Sequence, residues 1–395
     1  MTPGSAVDDL WARHSAEWRD PAQIATQWEE ASAVDPRLMR YSVTGDWWRI
    51  LADAKITLLV TREYEHLFMA LSAEGGEPRI TFMRMPHPSG LAVDIEREVV
   101  YVASTRNPNQ VYELAPVTSA LARRDVHTRA FDERPLVPVA SAYYPGSLYM
   151  HDLALIGGRL HANAVGHNAV VRLGGGGRWE RVWWPRAIET LDGPDFSRNY
   201  LQLNSIAAAA DVRSSFFSAS TSTISSRRPG HLNFAVDRRG VIFSGRTREP
   251  IAIGLTRPHS ARLHEGALWV DDSGYGEVGT IADGAFESVA RLPGWTRGLC
   301  FAGNVGFVGT SKVIPRFVRY APGLDADRSV CGVHAVDLQT GRVIGKITWR
   351  GGNQIFAVES VPHRMTRGLP FSLGKRQTRS EKELFYLFCT GRTEQ

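Results

Sequence analysis

With 395 residues, 43% of them apolar and 22% charged, the chain has enough material for a sizeable globular core, as one large domain or two ordinary ones. Its formal charge of +5, from 46 Lys plus Arg against 41 Asp plus Glu, is modest, and part of it gathers near the C-terminus at Lys375, Arg376, Arg379 and Lys382. The nearly neutral body argues against a non-specific nucleic-acid binder, which needs a concentrated basic stripe, and no apolar run approaches membrane-spanning length.

The first residues lack the basic start and apolar core of a signal peptide, which makes the cytoplasm the default location. Val7–Trp18, with Asp8 and Asp9 early and Trp11 and Trp18 seven apart, reads as a helix, and Ala22–Glu30 as a second short one. Residues 1–45 are therefore expected to form an N-terminal helical arm that packs on the body, with support of a homodimer as the other use. Strands then dominate. Lys55–Val60, Glu65–Met69 and Pro78–Met83 are short and apolar or alternating, with a Gly75-Gly76 turn between the last two.

From here a pattern recurs, in which polar or small residues open a short apolar run. Its copies are Ser89–Val93, His151–Leu155, Asn204–Ala208, His259–Leu263, Arg297–Phe301 and Gln354–Val358. Their starts lie 62, 53, 55, 38 and 57 residues apart. A recurring β unit at this spacing predicts an all-β fold, a β-propeller. The last copy is followed by few strands, whereas three precede the first. One blade assembled from both chain ends consumes these leftovers, removes a free sheet edge and makes the count six, over residues 46–365.

Other segments carry separate expectations. His231–Val236 is read as an outer strand joined through the Asp237–Gly240 turn to Val241–Ser244. Residues 174–201, with Gly174–Gly177 and Trp183-Trp184-Pro185, read as an insertion rimming the mouth. Residues 366–395 read as a partly ordered basic tail, with Glu383–Phe388 as the strand that docks on the shared blade. Cys300, Cys331 and Cys389 form no close-spaced metal motif and cannot all pair, and Cys300 reads as a buried thiol.

His151–Ala154, Leu203–Ile206, Pro258–Gly266, Leu268–Gly274, Pro293–Leu299, Phe307–Lys312 and Val336–Gly341 together resemble a bacterial family of conserved hypothetical proteins. That family is a domain of unknown function with propeller-like repeats, and its Pro-His-Ser and Thr-Arg-Gly boxes are specific. The likeness runs from about Leu51 to Val361. Members usually have Cys-His-Leu-Asn where this chain has Leu201-Gln202-Leu203-Asn204, and often Glu in place of Gln354. The resemblance implies the fold and brings no settled activity.

In a propeller the first residues of the inner strands gather around the central channel. The repeat alignment thus brings Ser89, His151, Asn204, His259, Arg297 and Gln354 together, with His87, Asp152 and Ser260 beside them. Such a polar ring calls for hydrogen-bond partners, an ion or a ligand. His151 and His259, with Asp152 and Arg297, are the catalytic candidates: the imidazoles as acid or base, Asp152 orienting His151, and Arg297 clamping a carboxylate or phosphate. Ser89, Asn204, Ser260 and Gln354 are candidate substrate contacts. His87, His151, Asp152 and His259 are the candidate ligands of a divalent metal, with Ca²⁺, Zn²⁺ and Fe²⁺ all open. No nucleotide cofactor is indicated, since Gly174–Gly177 precedes no Lys-Ser or Lys-Thr.

These residues predict an enzyme acting at the channel on a small polar or anionic metabolite or modified peptide, by hydrolysis or isomerisation, with or without a metal. The alternatives are a satisfied structural network, and a non-catalytic propeller that binds a peptide or protein through residues 174–201 and the tail. A solvent-facing Trp183/Trp184 pair would favour the last.

Overall fold

A computed structural model describes residues 9–10, 12–13, 31–105, 109–121, 133–227, 229–231, 234–373 and 388–391. Six antiparallel sheets form the blades of a β-propeller. Blade 1 takes its inner strand, Ala357–Pro362, from the end of the chain and its next three, Ile56–Arg62, Leu67–Glu74 and Glu77–Arg84, from the beginning. Blades 2 to 6 follow in chain order, with inner strands Pro88–Asp94, Met150–Ile156, Leu203–Ala207, Pro258–His264 and Trp295–Ala302. Each inner strand packs on the next, and Ala357–Pro362 closes the circle against Pro88–Asp94. The closure expected from the leftover strands is the one observed.

Local sequence sets the hairpins. Gly75 and Gly76, at φ +57° and +86°, make the two-residue turn between Leu67–Glu74 and Glu77–Arg84, a geometry that suits glycine at both places. In blades 1, 3 and 5 the second strand ends in a three-residue 3₁₀ turn closed by one left-handed residue: His66, Asn168 or Gly276.

The apolar core is divided into wedges between neighbouring blades. Trp183 and Val170 of blade 3 meet Phe217 and Phe243 of blade 4, and Trp269 and Val278 of blade 5 meet Leu299 and Val308 of blade 6. The largest wedge joins blades 6 and 1, where Trp47 and Leu51 of the helix Trp47–Ala54 insert beside Phe307, Trp349, Leu58 and Phe68. Because apolar burial is satisfied between blades, the central channel is left to polar groups.

Those polar groups join the blades to one another. Thr61 Oγ1 of blade 1 donates to Ser89 O of blade 2 at 2.7 Å, and Ser89 Oγ to Met150 O of blade 3 at 3.3 Å. Asn163 Nδ2 of blade 3 donates to Leu203 O at 3.0 Å, and Asn204 Nδ2 of blade 4 to Pro258 O at 3.0 Å. Ser273 Oγ, after the second strand of blade 5, donates to Thr296 O at 2.6 Å, and Ser311 Oγ of blade 6 to Ile355 O at 3.1 Å, just ahead of the closing strand. At least one side-chain bond therefore crosses every blade junction.

Several peripheral readings change. Tyr41–Gly45, the end of the segment read as a helical arm, is a strand on the outer edge of blade 6. The helix expected at Ala22–Glu30 and most of Val7–Trp18 lie outside the described residues. Val241–Ser244 takes Pro250–Leu255 as its outer partner, so residues 234–236 are not the strand expected there. Residues 174–183 are no insertion: Trp179–Trp183 is the fourth strand of blade 3. The tail reaches two sheets. Phe371–Ser372 extends blade 1, whereas Phe388–Thr390 pairs with Asn109–Ala120 of blade 2 rather than closing the shared blade. Residues 383–387 lie outside the described residues. No helix among the described residues is long and apolar enough to cross a membrane.

Asn163 offers a direct test of the inter-blade bonds. Its Oδ1 accepts from the His151 and Asp152 amides at 3.1 and 2.5 Å while its Nδ2 holds Leu203 O. Asn163→Leu orphans all three buried backbone groups, at about 1–3 kcal/mol each before relaxation. Urea denaturation should show a loss of about 3–5 kcal/mol, and a loss below about 1 kcal/mol would rule out a structural role for this junction.

Candidate functional site

Four of the six recurring polar positions are, in the structure, β-bulges, whereas Gln354 lies three residues ahead of its inner strand, Ala357–Pro362, whose register with Ile56–Arg62 does not slip. Near the start of five inner strands the register slips by one residue, which leaves Ser89-Gly90, His151-Asp152, Asn204, Ser260-Ala261 and Arg297-Gly298 out of step with their neighbours. In blade 5 the bulge begins one residue later than the repeat alignment implies, so His259 is still paired and Ser260 takes the bulged place. Side chains of adjoining blades collect the displaced amides: Ser205 Oγ accepts from Ala261 N at 2.8 Å, and Ser260 Oγ from Gly298 N at 2.7 Å. Gly90 is required here, because a Cβ would lie 2.7 Å from Asp152 Cα.

A second repeated device stands one step outside. His87, Tyr149, Gln202 and Arg257 each immediately precede an inner strand, in blades 2 to 5, and each is left-handed, at φ +45°, +51°, +52° and +56°. A non-glycine residue in this region costs about 1–2 kcal/mol. Tyr149, Gln202 and Arg257 line the mouth of the channel. Strain repeated at one position, with unlike side chains, marks a place where the side chain is needed.

The mouth holds a cavity of about 120 Å³ whose lining includes His151, His259, Arg297 and Gln354. A smaller space beneath is lined by Asp152, Asn204 and Ser260, with His151, His259 and Arg297 bordering both. Seven of the nine sequence-derived site residues are therefore brought together. Ser89 is not among these lining residues: it is buried, with Oγ held by Ala103 O at 3.0 Å and by Met150 O. His87 lies aside as well, with Nδ1 3.5 Å from Glu63 and its ring against His66.

The geometry assigns the state of His259. Its Nδ1 lies 2.8 Å from Arg257 O, an acceptor only, so Nδ1 carries the proton and Nε2 the lone pair. Ser273 Oγ, 3.1 Å away, shares that proton. Burial, then Arg297, Arg257 and His151, hold His259 well below the usual imidazole range, so it is neutral at neutral pH. Arg297 stacks on Phe356 at 3.3 Å, and no described residue offers its guanidinium a hydrogen-bond acceptor. Burial lowers Arg297 to about 10, against the pull of Glu63 and two tyrosines, which leaves it cationic at neutral pH. The buried Gln354 Oε1 and Asn204 Oδ1 likewise meet no donor among the described residues.

Asp152 has a different task from the one expected. Its carboxylate takes Arg262 of blade 5 bidentately, at 2.9 and 3.2 Å, and accepts Ile206 N at 3.0 Å. Arg262 also reaches Glu359 of blade 1 at 3.4 Å, and burial raises Glu359 to about 7. This buried group, drawn from blades 1, 3 and 5, floors the site. Asp152 is thereby held within a buried ion-pair group with Arg262 and Glu359. Among the described residues no three His, Cys, Asp or Glu side chains are grouped to hold a metal ion, so the set His87, His151, Asp152 and His259 is not assembled.

Residues that the repeat pattern missed include Glu63, Tyr149, Gln202, Arg257, Trp295 and Lys312. A partial signal was present: Tyr149, Gln202, Arg257 and Trp295 each stand two places before a ring residue. Gln202, where the resemblance implies His, accepts Arg257 Nη1 at 2.7 Å.

The family model described as a domain of unknown function, DUF4915, matches residues 45–368. No curated protein matches the chain. Among solved structures, a chain of a nidogen/laminin complex is similar at TM-score 0.49 and 9% identity, over 77% of this chain and 98% of that one. A protein of unknown function from Bacteroides caccae gives 0.47 and 9%, over 78% and 99%. A putative gluconolactonase gives 0.43 and 17%, over 68% and 80%.

Backbone strain at the mouth is testable at Gln202. Gln202→Gly and Gln202→Ala both lose the bond to Arg257, but only glycine relieves the left-handed backbone. In urea denaturation the glycine variant should be more stable than the alanine variant by about 1 kcal/mol. An alanine variant equal to or above glycine would show that the conformation is unstrained.

Proposed function

The chain belongs to the DUF4915 family, a domain of unknown function, and we propose that its channel mouth is the active site of an enzyme that hydrolyses a small polar substrate bearing an anionic group. One observation carries this reading: a neutral His259 with its lone pair on Nε2 shares a cavity with Arg297, a cation that no described acceptor engages. A base and an anion clamp in one enclosed space are the two parts that such a reaction needs.

In this scheme Arg297 takes the anionic group of the substrate and fixes its position. His259 Nε2 accepts a proton from water as the water oxygen bonds to the electrophilic carbon. The bond from that carbon to the leaving group then breaks, and the imidazolium returns the proton to the leaving atom. Burial beside two arginines makes His259 a weak base in the free protein, and a bound anion offsets the arginines and strengthens it. Substrate binding and proton acceptance are thereby coupled.

The peptide-binding alternative loses the feature that would have favoured it. Trp183 is only 3% exposed, within the wedge between blades 3 and 4, and Trp184 packs on Phe196 and Arg248.

Screening with lactones and carboxylate-bearing esters tests the proposal. On any substrate found, His259→Ala should lower kcat by about 10²–10⁴, the usual contribution of a general base. Arg297→Gln should raise KM by about tenfold or more, the equivalent of a lost charge-assisted bond. Because burial and the neighbouring arginines hold His259 well below the ordinary imidazole value of about 6.5, the acid limb of kcat/KM should lie below that of an ordinary imidazole. Wild-type turnover by a folded His259→Ala variant would refute the assignment.

A further inference from the structure

We infer that the mouth is built for a dianionic head group, a phosphomonoester or a dicarboxylate, held by Arg257 together with Arg297 and Lys312. This rests on the reading of the cavity as the substrate site and goes further in fixing the charge of what enters.

The charge balance of the lining is the first argument. Arg257, Arg297 and Lys312 face a single carboxylate, Glu63, which leaves an excess of two positive charges. None of the three cations makes an ion pair among the described residues. The nearby Asp152 gives no relief, since both its oxygens are taken by Arg262. Buried charges in proteins are ordinarily paired, and an arginine pair without a counter-anion calls for one from outside. A monoanion would leave one charge unmet.

The support given to Arg257 is the second argument. Its partners are the neutral amide oxygen of Gln202, at 2.7 Å, and the ring of Tyr320, 4.7 Å from the guanidinium carbon. Both orient a guanidinium without cancelling its charge. Arg257 and Gln202 are also two of the left-handed residues, so backbone strain is accepted to put this pair at the mouth. Burial lowers Arg257 to about 10, and Arg297 adds to the effect, which places the two cations within electrostatic reach of one another. A structural arginine would be expected to have a carboxylate, as Arg262 does.

Size is the third. About 120 Å³ admits a phosphate or a short diacid with a few further atoms, and no large polymer. The aromatic side chains of Tyr149, Trp295 and Phe356 would then flank the rest of the molecule.

The test is calorimetric titration of the full chain with phenyl phosphate, phenyl sulfate, succinate and butyrate at constant ionic strength. Phenyl phosphate and phenyl sulfate have nearly the same shape, and at pH 8 they differ by one charge. Phenyl phosphate is expected to bind at least about tenfold tighter than phenyl sulfate, the equivalent of one charge-assisted bond. If the head group is instead a dicarboxylate, succinate will show that margin over butyrate. Between pH 8 and pH 5, phenyl phosphate should weaken as it takes up its second proton, near pH 6, while phenyl sulfate stays level. Arg257→Gln should abolish the preference for dianions, and Lys312→Gln, at the rim, should reduce it several-fold even if the first variant fails to fold.

Equal affinity for the two members of both pairs would overturn the inference, as would full discrimination in Lys312→Gln or in folded Arg257→Gln. The two proposals fail separately. Without charge discrimination, but with turnover of an anionic ester lost in His259→Ala, the active site stands and the dianion falls. Discrimination in the wild type beside undiminished turnover in His259→Ala gives the reverse.

Discussion

The bond from one blade's side chain to the next blade's inner-strand carbonyl is the constraint on which the rest of the architecture depends. A propeller has no central apolar core, so its inner strands must be located relative to one another by other means. Here Thr61, Ser89, Asn163, Asn204, Ser273 and Ser311 each span one junction. Each such bond is worth only about 1 kcal/mol net, yet each satisfies a buried carbonyl that would otherwise cost more. Their importance is geometric. They hold the bulges in register, and the bulges hold the side chains that face the channel.

Two kinds of buried charge share that channel, and the contrast between them is informative. Arg262 is closed in by Asp152 and Glu359 from two other blades, a group that stabilises mainly by being complete. At the mouth, Arg257 and Arg297 are held by an amide and by aromatic faces. The same side-chain type is thus paired with carboxylates at the floor and, among the described residues, left without one above it. The difference comes from the partner supplied, since depth alone lowers both mouth arginines without discharging them at neutral pH.

Much of the fold was legible in sequence because a bulge at a crowded axis has a chemical signature. It favours small or polar residues followed by an apolar strand, and that is the motif at Ser89, His151, Asn204 and Arg297. Closure of blade 1 was legible from strand counting. The left-handed residues were not, since His87, Tyr149, Gln202 and Arg257 share a backbone state and no side-chain property. The pairing of Asp152 was hidden for another reason. Arg262, its partner, lies 110 positions away and outside the repeated ring positions, so nothing local distinguished a bound carboxylate from a free one. The tail strand expected at Glu383–Phe388 shares only Phe388 with the observed Phe388–Thr390, and the pairing of the latter with blade 2 depends on which edge the tertiary fold leaves open.

The sharing of blade 1 between chain ends has a consequence for biosynthesis. Gln354 and Phe356, which border the mouth, adjoin the closing strand, and that strand pairs with residues made some 300 positions earlier. During translation five blades' worth of chain must wait with an unpaired edge at Ile56–Arg62, and pairings of such long sequence separation form late. No nascent fragment ending before this strand can contain a complete pocket. The cavity at the mouth is thereby completed in one step, when Ala357–Pro362 takes its place beside Ile56–Arg62.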